Sequence, residues 1–214
     1  MTIRVLLADD HGLLRDALKT MLQEEHDIEV IGAAATGREA LELARELHPE
    51  VVALDIGMPE LNGVEATARL VARDPTVKVI GISTYADKRF VTGMLRAGAM
   101  GYISKTSAAT ELIKAIRAVV KGQRYLCPMI SEQVMDSIAQ PMSSDIAKQP
   151  ALSRREREVL QLVAEGFRTT EIAGRMHVAE ATVEVHRRNI MRKLELHSVA
   201  ELTKYAIREG LTTL

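Results

Sequence analysis

Apolar residues return along this chain in two rhythms, and the pattern changes once. From residue 3 to about 121, short apolar runs alternate with stretches in which apolar residues recur every three or four positions. The runs "IRVLLA" (3–8), "IEVIGAAA" (28–35), "VVAL" (51–54), "VKVIGI" (77–82) and "GYIS" (101–104) have strand length. Between and after them, "LLRDALKTMLQEE", "TGREALELARELH", "VEATARLVAR", "KRFVTGMLRAGA" and "AATELIKAIRAVVKG" carry helical spacing. Thr36 and Glu39 have the separation of a capping box, in which two side chains satisfy free backbone donors at a helix start. Five strands alternating with five helices predict a parallel sheet covered on both faces, an α/β unit with the first strand central. Right-handed crossovers leave few other ways to thread it.

From residue 152 the strand rhythm is gone. "LSRREREVLQLVAEG" opens on a second capping box, Ser153 and Glu156, and ends at Gly166. "TTEIAGRM", "VAEATVEVHRRNIMRKLEL" and "SVAELTKYAIREG" follow, separated by a few residues each, so an all-α four-helix unit is predicted. Between the two rhythms, "MISEQVMDSIAQ" (129–140) reads as one short helix and "PMSSDIAKQP" as a linker. The predicted organisation is 1–122, a linker over 123–150 with its short helix, and 151–214.

Composition sharpens this modestly. Net charge is −1, yet residues 1–150 hold 17 Lys+Arg against 20 Asp+Glu, and residues 151–214 hold 11 against 9. The second unit is thus net +2, and a basic excess is how proteins neutralise phosphates. Aromatics are 3% with no Trp, which disfavours platforms that stack single-stranded bases. One cysteine, Cys127, excludes an internal disulfide and reads as a small buried apolar residue. No apolar run approaches the roughly 18 residues needed to span a bilayer, and the N-terminus lacks signal-peptide features. A cytoplasmic protein without membrane contact is expected.

The chemistry sits at strand ends. In open α/β sheets, ligands bind beyond the carboxyl ends of strands, where the strand order reverses. Asp9 and Asp10 end the first strand, Asp55 the third, Ser83 the fourth, and Lys105 follows the fifth. Oxygen ligands with room for water suit Mg²⁺. A carboxylate beside a metal, an ammonium and a hydroxyl suits phosphoryl transfer onto that carboxylate, an aspartyl phosphate at Asp55. His11 follows the acid pair but shows no tuned partner in the sequence, and no role is assigned to it.

These five positions, with "DIGMPELNG" and Lys105 fifty residues after Asp55, resemble the receiver domain of two-component response regulators. The resemblance implies strand order 2-1-3-4-5. It implies Mg²⁺ on Asp10 and Asp55 directly, on Asp9 through water, and on the Gly57 carbonyl. It implies phosphate contacts from Ser83 and Lys105, and a switch at Tyr102 whose ring turns inward as Ser83 moves. Thr106 stands where many receivers have Pro. The partner implied is a sensor histidine kinase.

In the second unit, "TTEIAGRM", a tight turn at His177-Val178, and a longer helix make a helix-turn-helix. Ile172, Ala173 and Met176 face Val183, Ile190 and Leu194. Glu184, Arg187, Arg188 and Arg192 then point outward, with Val185 and His186 flanking, as in a recognition helix. Residues 152–210 resemble the LuxR-type DNA-binding domain, so the whole resembles the NarL/FixJ class of transcriptional response regulators, which are not enzymes beyond their own phosphorylation. The implied DNA contacts are Thr182, Glu184, Val185, Arg187, Arg188 and Arg192. The implied dimer contacts are Val199, Leu202 and Tyr205, and a homodimer implies an inverted-repeat site on duplex DNA. Glu184 stands where the class often has Lys. Ala179 stands where it often has a capping Ser or Thr, which predicts a recognition helix that frays without DNA. The rival reading is a small-molecule phosphatase acting through Asp55. It leaves residues 152–210 unexplained and meets Gly57 where an acid/base carboxylate is needed.

Overall fold

A computed structural model describes residues 2–84, 88–131 and 152–212. The chain divides into two compact units, Met1–Pro141 and Met142–Leu214. No helix among the described residues is long and apolar enough to cross a membrane.

The first unit is a parallel sheet of β1 (Ile3–Ala8), β2 (Ile28–Ala34), β3 (Val51–Asp55), β4 (Lys78–Ser83), β5 (Gly101–Ser104) and β6 (Tyr125–Leu126), in the order β2-β1-β3-β4-β5-β6. The expected order holds for the first five, and the sheet carries a sixth strand that the hydrophobic pattern does not announce. β6 lies in the stretch read as linker. Tyr125 N–H donates to Met100 O at 2.9 Å and Cys127 N–H to Tyr102 O at 3.1 Å. Cys127 and Ile130 are both buried in the core of this unit, and the Tyr125 hydroxyl donates to Glu111 Oε2 at 2.6 Å. A helical turn starts at Pro128; the rest of the helix expected over 129–140 lies outside the described residues.

Helices α1 (Gly12–Gln23), α2 (Gly37–Leu47), α3 (Gly63–Arg73), α4 (Lys88–Ala97) and α5 (Ala108–Val120) cover the sheet. α1 packs beside α5, and α2, α3 and α4 pack in succession. Strands enclosed on both faces must be apolar throughout, and Val51 to Leu54 are each fully buried. Thr36 caps α2 by accepting from Glu39 N–H, but the Glu39 carboxylate reaches the Ala35 N–H rather than that of Thr36.

The second unit has α6 (Arg154–Ala164), α7 (Thr169–Met176), α8 (Glu180–Leu194) and α9 (Val199–Arg208). Ser153 and Glu156 form the expected reciprocal cap on α6. His177, in the left-handed region at φ 53°, ends α7 and turns the chain into α8. Ile172, Ala173, Met176, Val183 and Ile190 are buried together with Val159, Leu160, Leu202 and Ala206, and Leu194 packs against them.

Candidate functional site

The sheet register assembles the first site. β1 lies between β2 and β3, so the strand order reverses there and Asp9, Asp10 and Asp55 meet at one edge. Ser83 lies one residue past Ile82, the partner of Asp55, and pairs with Ser104, which precedes Lys105. Asp9, Asp55 and Ser83 are buried, while Asp10 and Thr84 are exposed.

The Lys105 ammonium is the hub. Its Nζ stands 2.9 Å from Asp55 Oδ2 and 3.0 Å from Asp9 Oδ1. Burial works against the lysine charge, but Asp55 and Asp9 outweigh it and hold Lys105 above its ordinary value. Burial pushes the Asp55 carboxyl up, Lys105 pulls it back and Asp9 adds to the rise, leaving it at about 6.

The loop after Asp55 is tightly held. Gly57 N–H donates to Asp55 Oδ1 at 3.3 Å and Gly63 N–H to Ile56 O at 2.9 Å. Leu61 N–H reaches back to Pro59 O at 2.8 Å across Glu60, whose φ is 65°. Asn62 caps α3 through Glu65 N–H at 3.0 Å.

Asp9, Asp10, His11 and Asp55 each bring a ligand atom, all within 4.8 Å of one another. Asp9 Oδ2 is buried and accepts no hydrogen bond, although Lys105 Nζ lies 2.9 Å away out of line. Three carboxylates converging at one edge, one of them with an oxygen that accepts no hydrogen bond, are a donor set that fits Mg²⁺.

His11 is the pocket residue that the sequence did not reveal. It is the N-cap residue of α1 but makes no side-chain cap bond. Instead Nδ1 lies 2.8 Å from Asp10 Oδ1, 3.2 Å from Asp9 Oδ1 and 3.3 Å from Lys105 Nζ. Its position beside the acid pair was the available signal. The Tyr102 side chain is fully buried, over Gly81 and within the core, the inward position that the switch reading names.

The second site is the solvent side of α8. Thr182, Glu184, Arg188 and Arg192 are exposed, and Val185 is 50% exposed, an apolar side chain open to solvent. Arg187 departs from its expected free position. Its side chain is 24% exposed, and NH1 donates to Thr169 Oγ1 on α7 at 3.0 Å. The same hydroxyl lies 2.8 Å from Glu184 Oε1. Lys193 crosses to Glu156 on α6 at 2.7 Å. Ala179 gives α8 no side-chain cap. Of the expected dimer contacts, Val199 is exposed and Tyr205 half-buried, but Leu202 is 1% exposed and belongs to the core. Leu202 is therefore a packing residue: helix periodicity puts it on the face of α9 that meets α6.

Known proteins match both halves. Residues 5–117 match the model of the response regulator receiver domain, and residues 150–206 that of the bacterial regulatory proteins of the luxR family. The response regulator GacA of Pseudomonas aeruginosa is 36% identical over 209 residues, spanning 98% of this chain and 97% of its own. The response regulator UvrY of Escherichia coli is 34% identical, spanning 98% and 95%. A crystal structure of a LuxR-family two-component response regulator from Aurantimonas superposes with TM-score 0.63 at 29% identity, covering 65% of this chain and all of that one. With a matching receiver model on the unit that holds the acidic pocket and a matching LuxR model on the unit that holds α8, the chain belongs to the two-component response regulators of the NarL/FixJ class, transcriptional regulators that join a receiver to a DNA-binding helix-turn-helix.

Proposed function

We propose that a sensor histidine kinase phosphorylates Asp55 and that this phosphorylation governs binding of α8 to duplex DNA. The observation that carries the reading is the buried Asp55 carboxylate, held 2.9 Å from Lys105 beside Asp9 and Asp10. A carboxylate oxygen of Asp55 attacks the phosphorus of the kinase phosphohistidine. The phosphorus–nitrogen bond breaks, and the imidazole leaves with the electron pair. Lys105 then turns from the carboxylate to a phosphoryl oxygen, and Ser83 donates its hydroxyl to another. Mg²⁺ held by Asp9, Asp10, Asp55 and the Gly57 carbonyl would neutralise phosphoryl charge. The chain catalyses nothing beyond gaining and losing this group.

On DNA, Arg188 and Arg192 meet phosphates, Val185 meets a thymine methyl, and Thr182, Glu184 and Arg187 lie along the same face. Val199 and Tyr205 form the contact of a homodimer, which reads an inverted repeat in the cytoplasm.

Two measurements test this together. Acetyl phosphate with Mg²⁺ adds one phosphoryl mass to the chain and none to Asp55→Asn. Selection from random duplexes enriches an inverted repeat with beryllofluoride and Mg²⁺, and far less without. A phosphoryl adduct that survives Asp55→Asn removes Asp55 from the role. Equal enrichment with and without the mimic uncouples the pocket from DNA.

A further inference from the structure

Glu184 is an anion in the middle of a surface meant for phosphates. A carboxylate there repels DNA unless a nearby cation offsets it and its direction is fixed. The structure supplies both through a residue outside the recognition helix. Thr169, the first residue of α7, places one hydroxyl between Glu184 Oε1 at 2.8 Å and Arg187 NH1 at 3.0 Å. Arginine only donates, so the hydroxyl must accept from Arg187. Its own proton is then free for Glu184. The proton directions along Arg187, Thr169 and Glu184 are thereby settled, and Arg187 NH1 also lies 3.8 Å from Glu184 Oε1.

Building on the proposed DNA reading, we infer that Thr169 is a specificity-setting residue that holds back Arg187 and aims Glu184 at a base. With NH1 donating to Thr169 and only 24% of its side chain exposed, the Arg187 guanidinium is held against α7 rather than extended from α8 toward a guanine. Its charge offsets that of Glu184 instead. Glu184, 53% exposed along its side chain, keeps Oε2 for a donor in the major groove. The matching donor is the cytosine amino group. Thr169 needs no DNA contact for this: it is a positioning residue acting through Glu184 and Arg187.

The test is duplex selection on the full chain with beryllofluoride and Mg²⁺, comparing wild type with Thr169→Val, Thr169→Ser and Glu184→Gln. Wild type selects cytosine at one position in each half-site. Thr169→Val lowers that preference about tenfold and admits guanine as Arg187 comes free. Thr169→Ser keeps the cytosine, because the hydroxyl remains. Glu184→Gln loses it. Affinity for unselected DNA and its salt dependence stay within about twofold in Thr169→Val. An unchanged site for Thr169→Val overturns the inference, as does a uniform loss of affinity across all sequences, which marks Thr169 as mere support for the fold. If wild type enriches no site at all, the DNA reading falls first and the inference with it.

Discussion

Gly63 shows how closely the backbone approaches itself behind Asp55. A methyl group there would collide with the Asp55 carbonyl oxygen and lie 2.8 Å from Ile56 Cα, both backbone atoms with nowhere to go. Gly63→Ala should therefore cost about 1–3 kcal/mol, read by denaturant unfolding, and slow acetyl-phosphate labelling of Asp55. Glu156 makes a second prediction. Burial raises its pKa, but Lys193 and the Ser153 backbone and hydroxyl outweigh that and hold it below the ordinary 4.5. A depressed carboxylate contributes stability in full above 4.5 and loses it as pH falls through the lowered value. Protection factors of the α6 amides should fall in that range, and Glu156→Gln should remove the extra pH dependence while keeping the cap. At this scale the convergence of the five strand-end residues was legible, because a strand end fixes where its residue goes. His11 was not, because its role depends on the side chain turning away from the cap it could have made. Nor was the tie between Arg187 and Glu184: helical spacing placed both outward, and the hydroxyl that binds them belongs to another helix.

The recognition helix starts without help. α8 follows Ala179, which offers its first turn no side-chain acceptor, whereas α6 and α9 each open on a reciprocal Ser–Glu cap. Ala179→Ser should stabilise α8 by about 1 kcal/mol, seen as slower amide exchange in its first turn; no slowing would mean the turn is already fixed by packing. Along the same helix, Arg188→Ala should weaken binding to all sequences alike and reduce the slope of log affinity against log salt by about one. An unaltered slope would place Arg188 off the phosphates. Ten helices and strands of the first unit and the four helices of the second were readable, since each is long enough to show its period. β6 was not, because two residues have no period, and what makes them a strand is the open edge of β5 beside them. Leu202 failed for a related reason: the resemblance named a helix for dimer contact, and only packing says which face of it is spent.

The two units divide the labour by charge as well as by fold: a net −3 stretch carries the acid pocket and a net +2 stretch the recognition helix. That division limits how the chain can be cut. β6 does more than lengthen the sheet. By pairing with Met100 and Tyr102 it closes the hydrogen-bonding edge that β5 would otherwise present, and it brings Cys127 and Ile130 into the core. An open, flat, apolar edge is a template for a strand from another molecule. A receiver ended at Gly122 should therefore self-associate in light scattering, whereas one carried to Pro141 should stay dispersed. On this expectation the last few residues before the linker guard against aggregation, and the boundary that protects solubility lies beyond the one that suffices for the acidic pocket.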